Sequence, residues 1–229
     1  PHFVLDRGKP GVIAIDPNGK RFVNEATTYH LFGKNLLKTL ENFPGRSCFL
    51  ICDHNFIKRY GLGMIRPYCI GLSSSIKDGY VKKASSFEKL GNKINVPVNT
   101  LKSTISRYNS FVKSGVDEDF GKGKDAYQKN LGNPKNLPNP CLGIIDSPPF
   151  YSLEIFPCDI GASAGLATNS SAQVIQENGL PINGLYACGN DMKSIMEGEY
   201  PGPGITIGAG MTFGFIAAHH AKESKSVRI

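Results

Sequence analysis

At 229 residues and 40% hydrophobic side chains, the chain can bury a sizeable core in one or two domains. Its net charge of +7 raises nucleic acid as a partner, but the 26 Lys and Arg are scattered, with no run longer than Lys82-Lys83 and no stripe interleaved with aromatics. The charge therefore reads as a solvated basic surface, not a nucleic-acid footprint. No apolar stretch approaches the ~20 residues of a membrane helix. Cys48, Cys52, Cys69, Cys141, Cys158 and Cys188 show neither metal-ligand spacing nor a disulfide framework, which points to reduced thiols in a cytoplasmic protein.

From the N-terminus, Val12-Ile-Ala-Ile15 and Arg21-Phe-Val23 flank the turn signature Asp16-Pro-Asn-Gly19, a pattern that predicts a β-hairpin. Thr27-Thr-Tyr29 leads into a helical pattern to about Glu41. Residues 47–52 read as a strand, residues 55–60 and 85–92 as short helices, and residues 63–80 as irregular. Asn99 reads as the N-cap of the clearest helix, with Leu101, Ile105, Tyr108 and Val112 at helical spacing and Gly115 ending it. Residues 117–124 are expected to form a polar, mobile loop, and the proline-rich residues 133–140 a linker. Residues 150–156 read as a strand, and Gln173-Val-Ile175 opens a hairpin leading into Leu185. No repeat or low-complexity tract interrupts this order.

The most informative stretch lies near the C-terminus. Residues 185–188 read as a short buried strand entered and left through glycine, followed after a polar connection by Tyr200-Pro-Gly-Pro-Gly204 and an apolar, small-residue helix to about His220. Pro201 and Pro203 carry no N–H, so the backbone donors left at the turn are Gly202, Gly204 and the residues after it. Gly204 has no Cβ, so a ligand can approach its N–H closely. The helix directs its partial positive end to the same place, which suits an anion or a developing oxyanion.

Leu185-Tyr-Ala-Cys-Gly-Asn190, Tyr200-Pro-Gly-Pro-Gly-Ile-Thr-Ile-Gly208 and Thr212-Phe-Gly-Phe-Ile-Ala217 resemble the C-terminal flavin-binding segment of the fumarate reductase and 3-ketosteroid dehydrogenase flavoproteins. Lys9-Pro-Gly11, Gly19-Lys-Arg-Phe-Val-Asn-Glu25, Arg107-Tyr-Asn109, Gly115-x-Asp117-x-Asp119-Phe-Gly121 and Gly179-x-Pro-Ile-x-Gly-Leu-Tyr186 extend the resemblance over nearly the whole chain. It implies an α+β fold, made of the capping domain of a flavoprotein oxidoreductase and the C-terminal strand–helix part of a Rossmann-like FAD domain. The implied division is residues 1–8 as the end of the flavin-domain crossover, 9–147 as the capping, substrate-binding domain, and 148–229 as the closing part of the flavin domain. The chain starts at Pro1 without an initiating Met and contains no Gly-x-Gly-x-x-Gly between a strand and a helix. The expectation is therefore the C-terminal part of a longer flavoprotein, without the N-terminal segment that grips the ADP moiety of FAD.

Within that superfamily, a tyrosine followed four residues later by glycine is similar to the ketosteroid 1-dehydrogenase pattern, whereas fumarate reductases carry an asparagine-arginine pair where this chain has Tyr200-Pro201. The resemblance implies that the Tyr200 hydroxyl and the Gly204 N–H hold the substrate ketone oxygen. Four residues after Glu25, where fumarate reductases place a proton-donating arginine, this chain has Tyr29, the position of the proton-abstracting tyrosine in the dehydrogenases. A phenol with a pKa near 10 is a weak base unless its phenolate is stabilised, and in the family a second tyrosine from the N-terminal part assists. His30 beside it reads as surface.

For the cofactor, the resemblance implies Gly189 and Asn190 at the ribityl chain and Gly204, Thr206 and Ile207 at the flavin's N1/O2 edge; Asp191 reads equally as a ribose ligand or a solvated loop carboxylate. Residues 158–165 lack the histidine that fumarate reductases use for dicarboxylates. Ala162 and Ala164 also depart from the glycines usual in the dehydrogenases. The reading is an FAD-dependent enzyme that dehydrogenates a C–C bond beside a ketone, most nearly a 3-ketosteroid 1-dehydrogenase, with no metal. The alternatives are a flavoprotein of the fumarate reductase or succinate dehydrogenase kind acting on another substrate, and a binding module that is inert without its N-terminal half.

Overall fold

A computed structural model describes residues 5–159 and 161–226, so the assignment of residues 1–8 lies partly outside the described residues. The chain divides into two compact units, Pro1–Pro157 and Cys158–Ile229. In chain order the first contains β1 (Val12–Ile15), α1 (Tyr29–Glu41), β2 (Cys48–Cys52), α2 (His54–Tyr60), α3 (Leu72–Lys77), β3 (Val81–Ala84), α4 (Phe87–Lys93), α5 (Val98–Ser114), α6 (Ala126–Leu131) and β4 (Phe150–Ile155). The second contains β5 (Gln173–Ile175), β6 (Pro181–Tyr186) and α7 (Ile205–Ser226).

The four strands of the first unit form an antiparallel sheet in the order β1-β2-β4-β3. Alternation along each strand sends its apolar side chains to both faces. Val12, Ala14, Cys48, Leu50, Cys52, Tyr151, Leu153 and Ile155 pack on one face against Phe32 and Leu36 of α1 and Phe56 and Ile57 of α2. Ile13, Ile15, Phe49, Ile51 and Phe150 pack on the other against Leu90 of α4 and Leu101, Ile105, Tyr108 and Phe111 of α5. Burial on both faces explains why β2 reads as an unbroken apolar run. It also accounts for Cys48 and Cys52, which are core residues; burial pushes the Cys48 thiol up to about 12, leaving it inert. Each fully buried aliphatic side chain here contributes about 1.5–3 kcal/mol.

Several expectations are corrected by this packing. The turn at Asp16 forms, with the Asp16 carboxylate accepting from the N–H groups of Asn18 and Lys20 at 2.9 Å. The second hairpin arm shrinks to the single bridge between Ile15 and Arg21, because Arg21 turns inward to bury its guanidinium. Residues 63–80 include α3, and the unanticipated β3 is an edge strand whose central Lys82 and Lys83 are exposed. Pro97, not Asn99, occupies the N-cap of α5, and Phe111 is buried where Val112 is only half-buried. Gly115, in the left-handed conformation (φ 73°), does end that helix. Residues 117–124 are pinned by buried Asp117 and Lys122. The stretch expected to be a linker is packed, with buried Asn139 donating to the carbonyls of Gly115 and Lys122 at 2.9 and 3.0 Å.

The expected boundary at 147/148 differs from the division after Pro157 because β4 lies inside the first unit's sheet, between β2 and β3. In the second unit β5 and β6 form the expected hairpin around Gly179 (φ 82°). Val174, Ala187 and Met192, with Ile182 and Phe213 against them, make a small core. The ladder stops at Tyr186 and leaves Leu185 43% exposed, since β5 is the strand's one partner among the described residues. α7 runs past His220 to Ser226.

Candidate active site

The start of α1 is held by an ionic cluster under it. Arg21 donates from Nε and NH2 to the two oxygens of Glu25 at 2.9 and 2.8 Å, and from NH1 and NH2 to Asp117 at 2.9 Å each. Lys122 lies 3.3 Å from Glu25 and donates to the Val12 carbonyl at 2.7 Å, while the Ala14 N–H reaches Glu25 at 3.0 Å. Two cations and two carboxylates thus neutralise one another with their lone pairs filled, the condition under which buried charges are tolerated. Burial would raise both carboxyls, but Arg21, joined by Lys122 at Glu25, outweighs it and holds each below its usual range. The Tyr108 and Phe120 rings lie 5.1 and 5.0 Å from the Arg21 guanidinium carbon.

From Glu25 the chain reaches α1 in four residues. Asn24 donates to the Phe120 carbonyl and Gln128 at 3.0 Å, and accepts from the Ala26 N–H. Thr28 caps the helix, its hydroxyl accepting from the Leu31 N–H at 3.3 Å. Tyr29 is the first helical residue and is half-buried. Buried Arg7 donates to the carbonyls of Glu25 and Thr27 at 2.6 and 2.8 Å. Sequence reasoning missed Arg7, Lys122 and the role of Asp117; the Arg21-x-x-x-Glu25 spacing was the local signal of the ionic cluster, and Arg7 had none.

In the second unit the Leu166 N–H donates to the Asp191 carbonyl and the Lys193 N–H to the Leu166 carbonyl, at 2.8 and 2.9 Å. Gly165 makes this approach possible, since a Cβ there would lie 2.5 Å from the Asp191 oxygen. The turn Gly189–Asp191 packs on α7 backbone to backbone: a Cβ on Gly210 would sit 3.4 Å from the Gly189 Cα. Asn190 is exposed on this turn, and a Cβ on Gly161 would lie 3.2 Å from its amide nitrogen. Gly189, Asn190 and the N-terminal half of α7 are therefore brought together. Tyr200 is half-buried and Gly204 follows it at φ 95° immediately before α7. Thr206 and Ile207 lie exposed in the first helical turn. Tyr29 belongs to the first unit and Tyr200 to the second.

A Cβ added at Gly202, Gly204 or Gly208 would meet nothing within 4 Å, so open space lies beside the turn and the first turn of α7. The first amides of a helix have no intrahelical acceptor. Together with the exposed Asn190 amide, they fit a planar group that is polar at its edge and gains negative charge on reduction, as FAD does. A groove of about 920 Å³ in the first unit, lined by Phe120, Lys124, Gln128 and Pro138 among others, includes none of the expected catalytic or cofactor residues. Among the described residues no cluster of His, Cys, Asp and Glu could hold a metal ion, and no helix is long and apolar enough to cross a membrane.

Residues 2–207 match the model of the FAD binding domain family. The 3-oxosteroid 1-dehydrogenase of Mycobacterium tuberculosis is 36% identical over all of this chain and 42% of its own length. The structure is similar to that of the 3-ketosteroid delta1-dehydrogenase from Sterolibacterium denitrificans in complex with 1,4-androstadiene-3,17-dione, with a TM-score of 0.89 and 34% identity, over 96% of this chain and 40% of that one. A flavocytochrome c3 fumarate reductase in its open conformation gives a TM-score of 0.61 at 25% identity, over 95% of this chain and 33% of that one. The chain thus spans less than half the length of these relatives. It belongs to the FAD binding domain family, in the superfamily of 3-ketosteroid dehydrogenases and fumarate reductase flavoproteins, whose cofactor is FAD.

Proposed function

We propose that the chain forms the capping domain and the closing part of the flavin domain of an enzyme that dehydrogenates a C–C bond beside a ketone, with a 3-ketosteroid as substrate and position 1,2 as the bond. The observation that carries this reading is the turn from Tyr200 to Gly204. A hydroxyl and a backbone N–H four residues apart open α7, beside space that a Cβ on Gly204 would enter. FAD, when bound, supplies the acceptor for the hydride leaving the β-carbon.

The protein's residues do the rest. Tyr200 donates its O–H, and Gly204 its N–H, to the ketone oxygen, which gains charge as the α-proton leaves. Tyr29 accepts that proton as a phenolate. Asn190 and Gly189 would hold the ribityl chain of FAD, and the first amides of α7 at Thr206 and Ile207 would serve the flavin's polar edge, which leaves the Gly204 N–H for the ketone. There the helix end would favour the reduced form by about 0.3–1 kcal/mol. Tyr29 in place of the arginine of fumarate reductases supports a ketone over a dicarboxylate. The free cysteines support a reducing, cytoplasmic setting.

The test is anaerobic titration of the FAD-loaded enzyme containing this chain with androstenedione, progesterone, succinate and fumarate, followed by flavin absorbance. Bleaching by the steroids alone is expected. Bleaching by succinate, or reoxidation of reduced flavin by fumarate, overturns the assignment in favour of a fumarate reductase-like activity.

A further inference from the structure

We propose that Arg7 is a positioning residue for Tyr29: it clamps the link between the buried ionic cluster and the first turn of α1, and so sets where the proton acceptor sits. The proposal rests on the reading of Tyr29 as that acceptor. Glu25 is immobilised from one side by Arg21, Lys122 and the Ala14 N–H. Its carbonyl and that of Thr27 both receive Arg7 NH1, at 2.6 and 2.8 Å. The guanidinium carbon lies 4.5 Å from the ring centre of Phe32, one turn after Tyr29 on α1. Arg7 therefore holds the link at two carbonyls and the helix at one ring. The adjacent Asp6 accepts from the Gly63 N–H at 2.8 Å, which ties this short turn to the segment after α2 as well.

The arrangement is a poor one for stability alone. Arg7 is 1% exposed, and among the described residues no carboxylate bonds to it and its NH2 finds no hydrogen-bond partner. Burial lowers its pKa to about 10. An apolar side chain could fill this space without desolvating a charge. What a hydrocarbon cannot do is donate to two carbonyls at once, which Arg7 NH1 does with its two N–H bonds.

The test is a double-mutant cycle in the FAD-loaded enzyme containing this chain, with Arg7→Met, Arg7→Lys, Tyr29→Phe and the combined variants. Single-turnover flavin reduction by androstenedione is read alongside the steroid dissociation constant and amide hydrogen exchange of residues 25–33. A misplacement of about 1 Å lowers a reaction rate by about 10²-fold. Arg7→Met should therefore slow reduction by about that factor, with steroid affinity within about threefold of wild type. Exchange should rise in residues 25–33 and stay unchanged in residues 48–52. In the Tyr29→Phe background Arg7→Met should add nothing, because the group it positions is gone. Arg7→Lys keeps a nitrogen with several N–H donors but loses the planar group over the Phe32 ring, and should lie between the two.

Additive losses in the double variant, or wild-type reduction by Arg7→Met, overturn the proposal. If Arg7→Met yields no holoenzyme, Arg7→Lys carries the same cycle, and additivity with Tyr29→Phe overturns it equally. A Tyr29→Phe enzyme at wild-type rate identifies the failure as that of the underlying reading.

Discussion

Arg21 grips Asp117 across 96 residues of sequence through two parallel bonds of 2.9 Å, while two further N–H groups hold Glu25 four residues on. This junction fastens the turn before α1 to the loop after α5, and it carries a pH signature. Both carboxyls are held below their usual range in the folded protein. Their stabilisation is therefore complete above the unfolded pKa of about 4 and is lost as pH falls through the lower folded values. Urea unfolding between pH 7 and pH 3 should show constant stability down to about pH 5 and a fall below about pH 4. Asp117→Asn should lower stability at pH 7 by about 3–5 kcal/mol, leaving the cluster with excess buried positive charge, and should flatten the acid slope. A variant as stable as wild type at pH 7 contradicts the account.

Gly165 permits the backbone approach that sets the Gly189–Asp191 turn. Gly165→Ala would place a methyl 2.5 Å from the Asp191 carbonyl oxygen and 2.6 Å from the Met192 carbonyl carbon, both backbone atoms that must move. The parallel bridge between Leu166 and Met192 should open and carry Asn190 with it. Flavin content after purification, read as the ratio of visible to ultraviolet absorbance, should fall several-fold while the first unit's stability is unaffected. Full flavin content in this variant removes Asn190 from the cofactor assignment.

What was legible in the sequence follows from how local each signal is. β2 was legible because a strand buried on both faces leaves a continuous apolar run, β4 because Phe150, Tyr151, Leu153 and Ile155 mark a strand around Ser152 and Glu154, and α1 and α5 because their buried stripes recur at helical spacing. β3 was not, since Lys82 and Lys83 point to solvent from an edge strand and leave only Val81 and Ala84 as apolar markers. The loop of residues 117–124 looked mobile because Asp117 and Lys122 are charged, and their partners lie about a hundred residues away, where no window reaches them. The Tyr200–Gly204 turn was legible because two prolines and two glycines prescribe its backbone locally. Arg7 was invisible for the opposite reason: its role lies in two carbonyls, and carbonyls carry no sequence identity.

Gly204 offers a test that separates backbone from side-chain roles. At φ 95° any L-residue is strained, by about 1–2 kcal/mol. The space beside it is open, so Gly204→Ala should fold with its flavin. The added methyl enters the region assigned to the ketone oxygen and tilts the N–H away from it. Steady-state kinetics with a 3-ketosteroid should show kcat/KM reduced about tenfold or more, the equivalent of about 1.4 kcal/mol of transition-state stabilisation. Unchanged kinetics would mean that another donor holds the oxygen.

The two tyrosines should fail in different ways if one takes the α-proton and the other holds the ketone. Tyr29→Phe keeps the ring's packing at the start of α1 and removes the proton acceptor. General base catalysis is worth about 10²–10⁴-fold, so flavin reduction should slow by that order, with steroid affinity nearly unchanged. Tyr200→Phe removes one of two donors, a loss of about 10²–10³-fold, and should also weaken ketone binding. Neither hydroxyl is assigned to the cofactor, so both variants should keep their flavin. The isotope effect separates them further. With the acceptor gone, a substrate deuterated at the α-carbon should show a larger primary effect on Tyr29→Phe than on wild type, because proton removal then limits the rate. Tyr29→Phe that reduces its flavin with a 3-ketosteroid at the wild-type rate would exclude Tyr29 as the base, whatever the outcome at Tyr200.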